Sequence, residues 1–127
     1  MIDGSSAVGT NSLVAGSGAD TLIAGAGADT LAAGSGVDFF VLNNTTGSAD
    51  GSNVPTILGF KAGTDSIQLP NVGALDGVTY GLSDSKSQDV AGNEVWNLTV
   101  SGGANDGHIL AKVGVIGSDP STSLHLV

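Results

Sequence analysis

Three aspartates recur at a fixed interval in the first third of the chain. Asp20, Asp29 and Asp38 are nine residues apart, and each closes a segment of the form Gly-x-Gly-x-Asp. Such a segment is an oxygen donor set. The carboxylate carries the charge, and the glycines leave the carbonyls of the turn uncovered. Carboxylates combined with backbone carbonyls are the ligands that a hard cation, calcium above all, takes. No Walker loop, HExxH or GxSxG motif occurs, and no base stands near an activated nucleophile, so no enzymatic activity is expected.

The aspartates belong to a longer register. GSGADTLIA from Gly16, GAGADTLAA from Gly25 and GSGVDFFVL from Gly34 align without a gap. Gly16, Gly25 and Gly34 fall together, as do Gly18, Gly27 and Gly36, and Leu22, Leu31 and Phe40 follow two residues after each aspartate. An earlier, eroded copy puts Gly9 at the second glycine, Asn11 at the aspartate and Leu13 at the apolar position.

The elements that must hold these residues follow from the period. Nine is not a multiple of 3.6, and residues 7–42 carry no apolar stripe at helical spacing. Each unit therefore reads as a turn followed by a short strand, with Thr21-Leu22-Ile23 long enough for about 10 Å of strand and Leu22 pointing inward. Two units close one coil, so residues eighteen apart stack about 4.8 Å from one another. Asp20 then lies under Asp38, and Asn11 under Asp29. Two ionised carboxylates about 5 Å apart repel by about 3 kcal/mol at an effective dielectric constant of 20. A cation is expected between them. The three lysines all lie outside the repeats and are not expected to supply it, which leaves calcium.

This pattern resembles the calcium-binding nonapeptide of the RTX family, G-G-x-G-x-D-x-U-x with U a large apolar residue. The resemblance covers residues 7–42 and implies a parallel β-roll whose turns bind calcium between successive coils. On that basis Asn11, Gly16, Gly18, Asp20, Gly25, Gly27, Asp29, Gly34, Gly36 and Asp38 are the expected metal-site residues, the glycines through their turns. Ala15, Ala24 and Ala33 stand where the family has its first glycine, a place where a left-handed backbone would suit alanine poorly.

Composition agrees with short strands and tight turns. Among 127 residues there are 21 glycines, five aromatic residues and 12% charged residues. Twelve acidic residues against three basic ones give a net charge of -9, which excludes nucleic acid and anionic membrane surfaces as natural partners. The absence of cysteine excludes disulfides and zinc-thiolate sites. No stretch approaches the roughly 20 apolar residues of a membrane helix, so no membrane insertion is expected. The start, MIDGSSAVGT, has neither a basic segment nor an apolar run, so export would not use an N-terminal leader of the secretory type.

Beyond the repeats, Phe39 to Leu42 extends the last repeat strand, and the polar run Asn43 to Asn53 reads as a loop. Strands are expected at Ile57 to Phe60 and Ser66 to Leu69 around the turn Lys61 to Asp65, and again at Val78 to Leu82, Glu94 to Val100 and His108 to Ile116. Phe60, Gly63, Asp65, Ile67 and Leu69 match the segment I-x-D-F-x-x-G-x-D-x-I-D-L that follows the repeats in secreted RTX proteases and alginate epimerase R-modules. Gly59 and Gln68 replace two of its acids. Trp96, Leu98 and Val100 share one strand face, so Trp96 is expected to pack rather than to stack on a sugar. His108 and His125 have no acidic partner at ligand spacing and are not expected to form a metal site.

The fold expected is all-β: a parallel β-roll over residues 1–44, followed over 45–127 by a β-rich C-terminal cap within one continuous domain. The end, SDPSTSLHLV, is similar to the export signals of type I secreted RTX proteins in closing a polar stretch on apolar residues. The resemblance therefore implies a secreted module of a Gram-negative bacterium, extracellular or on the cell surface, with calcium and a type I exporter as partners. Polysaccharide or cell-surface attachment is the alternative.

Overall fold

One conformational requirement, repeated at every corner, turns the nine-residue period into a coil. In a computed structural model of the chain, Gly9, Gly18, Gly27 and Gly36 take φ values of 84°, 103°, 110° and 113°. That left-handed backbone is open to glycine at little cost and reverses the chain before each strand. The structure describes residues 1–4, 6, 9–25, 27–42, 48–50, 52–69, 79–88, 92–102, 106–116 and 124–126.

Short strands follow the turns: β1 (Ile2–Asp3), β2 (Ser12–Val14), β3 (Thr21–Ile23), β4 (Thr30–Ala32) and β5 (Phe39–Val41). After the loop come β6 (Thr56–Lys61), β7 (Ser66–Leu69), β8 (Thr79–Gln88), β9 (Glu94–Ser101), β10 (Ile109–Ile116) and β11 (Leu124–Leu126). Successive repeat strands alternate between two sheets. One has the order β1-β3-β5-β7-β11 and the other β2-β4-β6-β10-β9-β8. No helix occurs among the described residues, and hence none long and apolar enough to cross a membrane.

The eighteen-residue stacking is observed directly. Leu22 pairs with Phe40 and Leu13 with Leu31, both in parallel register. Both sheets then continue past residue 44, with β4 pairing β6 at Leu31 and Ile57 and β5 pairing β7 at Phe40 and Ile67. The middle residue of each strand faces inward because the two sheets enclose a core between them, and Leu22, Leu31, Phe40, Ile57 and Ile67 are fully buried there. Phe40 and Phe60 meet across it with ring centroids 5.9 Å apart. Burying each such side chain contributes about 1.5–3 kcal/mol.

The cap completes the second sheet. β10 pairs parallel to β6 on one side and antiparallel to β9 on the other, and β8 follows antiparallel to β9. In β6 both Ile57 and Phe60 are buried although they are three residues apart. The β10 register shifts at this point, and Gly59, with φ 74°, absorbs the extra residue as a bulge. The acid that the family carries at Gly59 is therefore replaced by a residue with a backbone role. Leu98 and Val100 are buried on one face of β9, and Trp96 packs against the same core.

The expected strand boundaries hold within about two residues, except that β8 runs on to Gln88. Val78, loop residues 43–47 and tail residues 121–123 and 127 lie outside the described residues. The tail was expected to follow the last strand. Instead Leu124–Leu126 is itself a strand, parallel to β7 with Leu124 opposite Ile67.

Candidate metal centre

The corners of the roll form two edges. The first carries the turns 16–20, 34–38 and 61–65, which lead into β3, β5 and β7. The second carries the turns that end at Asn11, Asp29 and Pro55 and lead into β2, β4 and β6. The turn backbones stack on one another directly. Ser17 and Ser35 form a parallel bridge, with Gly18 N donating to Ser35 O at 2.9 Å and Ser35 N to Gly16 O at 3.2 Å. Such contact leaves no room for a side chain. A Cβ on Gly34 would overlap Gly16 O, one on Gly36 would overlap Gly18 O, and one on Gly27 would come within 2.5 Å of Gly9 O.

Asp29 and Asp38 use their two oxygens in two directions, while Asp20 shares the first and has the Met1 ammonium 4.0 Å from its Oδ1. Oδ2 closes its own turn, accepting from the amide four residues earlier: Gly16 to Asp20 at 3.1 Å, Gly25 to Asp29 at 2.9 Å and Gly34 to Asp38 at 3.1 Å. Oδ1 reaches the neighbouring coil. Asp29 accepts there from Asn11 N at 2.9 Å, and Asp38 from Asp20 N at 3.1 Å. Asp29 and Asp38 are buried by this arrangement, whereas Gly16, Ser17, Gly18, Ser35 and Gly36 remain exposed on the first edge. Gly25 on the second edge is buried.

The two edges differ as their residues dictate. Asn11 Nδ2 donates to Asp29 Oδ1 at 3.0 Å and to Gly9 O at 3.2 Å, so an amide already links a carboxylate and a turn carbonyl on the second edge. One coil further on, Pro55 stands at the aspartate position and ends the carboxylate row. Asn53 takes the left-handed corner there at φ 54°. The first edge has full carboxylates at Asp20 and Asp38.

These residues fit calcium. The donors are carboxylates and backbone carbonyls aligned along one edge, with no sulfur and no imidazole, the set preferred by a hard cation of flexible coordination. No group of three or more His, Cys, Asp or Glu side chains converges among the described residues, so an ion here would take turn carbonyls as well as aspartates. The alanines prove compatible. Ala15, Ala24 and Ala33 are not among the residues with positive φ, and Ala15 and Ala24 bury their methyl groups in the core. The left-handed position is the glycine two residues before each aspartate, Gly18, Gly27 and Gly36, which the sequence keeps.

One expectation is corrected. Lys61, which lies outside the repeats in sequence, reaches the carboxylate row in space. Its Nζ donates to Gly34 O at 2.8 Å and lies 3.4 Å from Asp65 Oδ2 and 3.7 Å from Asp38 Oδ2. Lys61 to Asp65 is in fact a further turn on the first edge. Lys61 N donates to Asp65 Oδ2 at 2.8 Å and Asp38 N to Asp65 Oδ1 at 3.0 Å, repeating the bonds of the earlier aspartates. Gly63 holds the left-handed corner at φ 81°. The signal in sequence is the offset: Lys61, Gly63 and Asp65 follow Gly34, Gly36 and Asp38 by twenty-seven residues, three periods of nine.

Comparison with known proteins agrees with this geometry. Residues 7–40 match the model of the RTX calcium-binding nonapeptide repeat, in four copies. Among solved structures the chain is similar to the crystal structure of the C-terminal domain (RV) of MpAFP, with 31% sequence identity, covering 80% of this chain and 74% of that one, at a TM-score of 0.49. No curated protein matches the chain. With four nonapeptides in register and their turns stacked into a parallel β-roll, the chain is a calcium-binding module and belongs to the RTX repeat family.

Proposed function

We propose that this module is non-enzymatic and serves export and folding: it stays open where calcium is scarce, folds on calcium outside the cell, and presents a C-terminal address to a type I exporter. The observation that carries this is the first edge, where Asp20 and Asp38 occupy stacked turns of exposed residues, whose backbone carbonyls would complete an oxygen donor set. Extracellular calcium modules are tuned to roughly 10⁻⁴–10⁻³ M, far above cytosolic free calcium. Metal binding there supplies folding free energy that the apo chain lacks.

The edges should differ in affinity. Asp38→Asn is expected to weaken calcium binding by about tenfold or more, since one anionic ligand is lost. Asn11→Ala should change it little, and Asn11→Asp should strengthen the second edge. Calorimetric titration of the three variants checks this ranking. A greater loss from Asn11→Ala than from Asp38→Asn would contradict the assignment.

For export, deletion of Leu124 to Val127 is expected to abolish secretion in a host with a matching type I system while the repeats still bind calcium. Because Leu124–Leu126 also forms the strand beside β7, normal secretion of the truncated chain would assign it to packing alone.

Polysaccharide attachment is favoured by a different observation. The outer face of the second sheet carries an open groove of about 650 Å³ lined by Thr30, Asp50, Thr56, Asn97 and Lys112 among others. Four of these polar residues stand in one cross-strand row, with Thr30 in register with Thr56, Thr56 with Lys112 and Lys112 with Asn97. Glycan binding by the isolated module, lost on Asn97→Ala and Lys112→Ala, would support attachment.

A further inference from the structure

The aspartate row of the first edge has three members, Asp20, Asp38 and Asp65, and therefore two intervals between coils. The lower interval, between Asp20 and Asp38, combines carboxylates with turns whose residues Gly16, Ser17, Gly18, Ser35 and Gly36 are exposed. The upper interval, between Asp38 and Asp65, already contains a cation. The Lys61 ammonium contacts one turn carbonyl, Gly34 O, and one oxygen from each of the two aspartates. The ammonium donates a hydrogen bond to Gly34 O at 2.8 Å and stands as an ion-pair partner 3.4 Å from Asp65 and 3.7 Å from Asp38. Both carboxylates are fully buried while Lys61 is 26% exposed, so the lysine stem reaches in from the rim and places its charge where two buried anions would otherwise stand uncompensated.

We propose that Lys61 takes the place of a divalent cation in the upper interval. That interval binds no calcium, closes without it, and gives the calcium-dependent repeats a preformed end on which to stack. The inference deepens the calcium-folding proposal and rests on it for the lower interval only. The amide contacts agree: Asp65 accepts from Asp38 N and Lys61 N, so the upper turn is tied to the coil below it by the same bonds that the lower aspartates make. Lys61 also ends β6: the start of that strand pairs with β4 of the repeats, but Lys61 itself pairs with Ile116 of β10 in the cap.

The test combines calcium stoichiometry with amide hydrogen exchange on the full chain. In chelator, the wild-type amides of Asp38 and Lys61 should remain protected while that of Asp20 exchanges at least tenfold faster. Lys61→Met, which keeps the stem and removes the charge, should lose protection at Asp38 and Lys61 in chelator and regain it in calcium, with one more calcium bound per chain than wild type. Lys61→Arg should keep the wild-type count. Should Lys61→Met fail to fold even in calcium, Asp65→Asn decides: an unchanged number of bound calcium ions supports the proposal, and loss of one overturns it. An equal calcium count in wild type and Lys61→Met, with protection in chelator unchanged, also overturns it. Failure of the calcium-folding proposal would look different, as a wild type that binds no calcium and protects the Asp20 amide equally with and without chelator.

Discussion

In millimolar calcium the thermal midpoint of the chain is expected to rise by roughly 10 °C over its value in chelator, with magnesium producing no comparable shift. An ion that binds only the folded state stabilises it by RT ln(1 + [Ca]/Kd), about 2.7 kcal/mol at a hundredfold excess over Kd. For a domain of this size 1 kcal/mol moves the midpoint by about 3–5 °C. The specificity follows from the ligands. Turn carbonyls and carboxylates on a flexible edge suit the irregular shell of calcium, whereas magnesium demands octahedral geometry and keeps its waters. Without the ion, Asp20 and Asp38 accept from amide donors at 3.1 Å in each case, with the Met1 ammonium 4.0 Å from Asp20 and the Lys61 ammonium 3.7 Å from Asp38. A midpoint that does not change in chelator would describe a solenoid that folds without metal.

The second large effect separates two glycines of identical sequence position. Gly34→Ala is expected to cost about 3 kcal/mol or more, whereas Gly16→Ala should stay within about 1 kcal/mol of wild type in either direction. Neither residue has a positive φ, so backbone strain does not distinguish them. The stack does. A methyl group at Gly34 would strike Gly16 O and come within 2.9 Å of Ala15 O, while one at Gly16 meets nothing within 4 Å. The chain could relieve the clash only by spreading the coils, which breaks the bond between Ser35 N and Gly16 O. Urea unfolding in calcium measures both variants. Equal midpoints would mean that the two turns do not stack as described.

The roll was legible because its physics is periodic. Leu22, Leu31 and Phe40 announce the buried row by type and spacing, and a coil of two nonapeptides dictates which residues lie above which. The carboxylate edge followed from the same arithmetic. What the period could not reveal lies past its interruption. The segment between β5 and β6 breaks the nine-residue count, so β6 and β7 look in sequence like new strands of a cap, although they pair with β4 and β5 in the same two sheets. Lys61 was hidden for that reason. It occupies the position of Gly34 in a turn whose alignment with Gly34 to Asp38 appears only at an offset of three periods. The role of the alanines was misread for a different reason. Composition does not say which turn residue is left-handed, and the structure puts that burden on Gly18, Gly27 and Gly36. Pairing of the tail with β7 had no local signal, since three residues of strand carry no pattern that specifies a partner.

The most direct measurement is calcium anomalous diffraction from crystals grown with the ion. The roll described here predicts density on the first edge between the turns 16–20 and 34–38, with oxygens of Asp20 and Asp38 at about 2.3–2.6 Å, and none beside Lys61 between Asp38 and Asp65. An intact roll in saturating calcium with no density between Asp20 and Asp38 would contradict it.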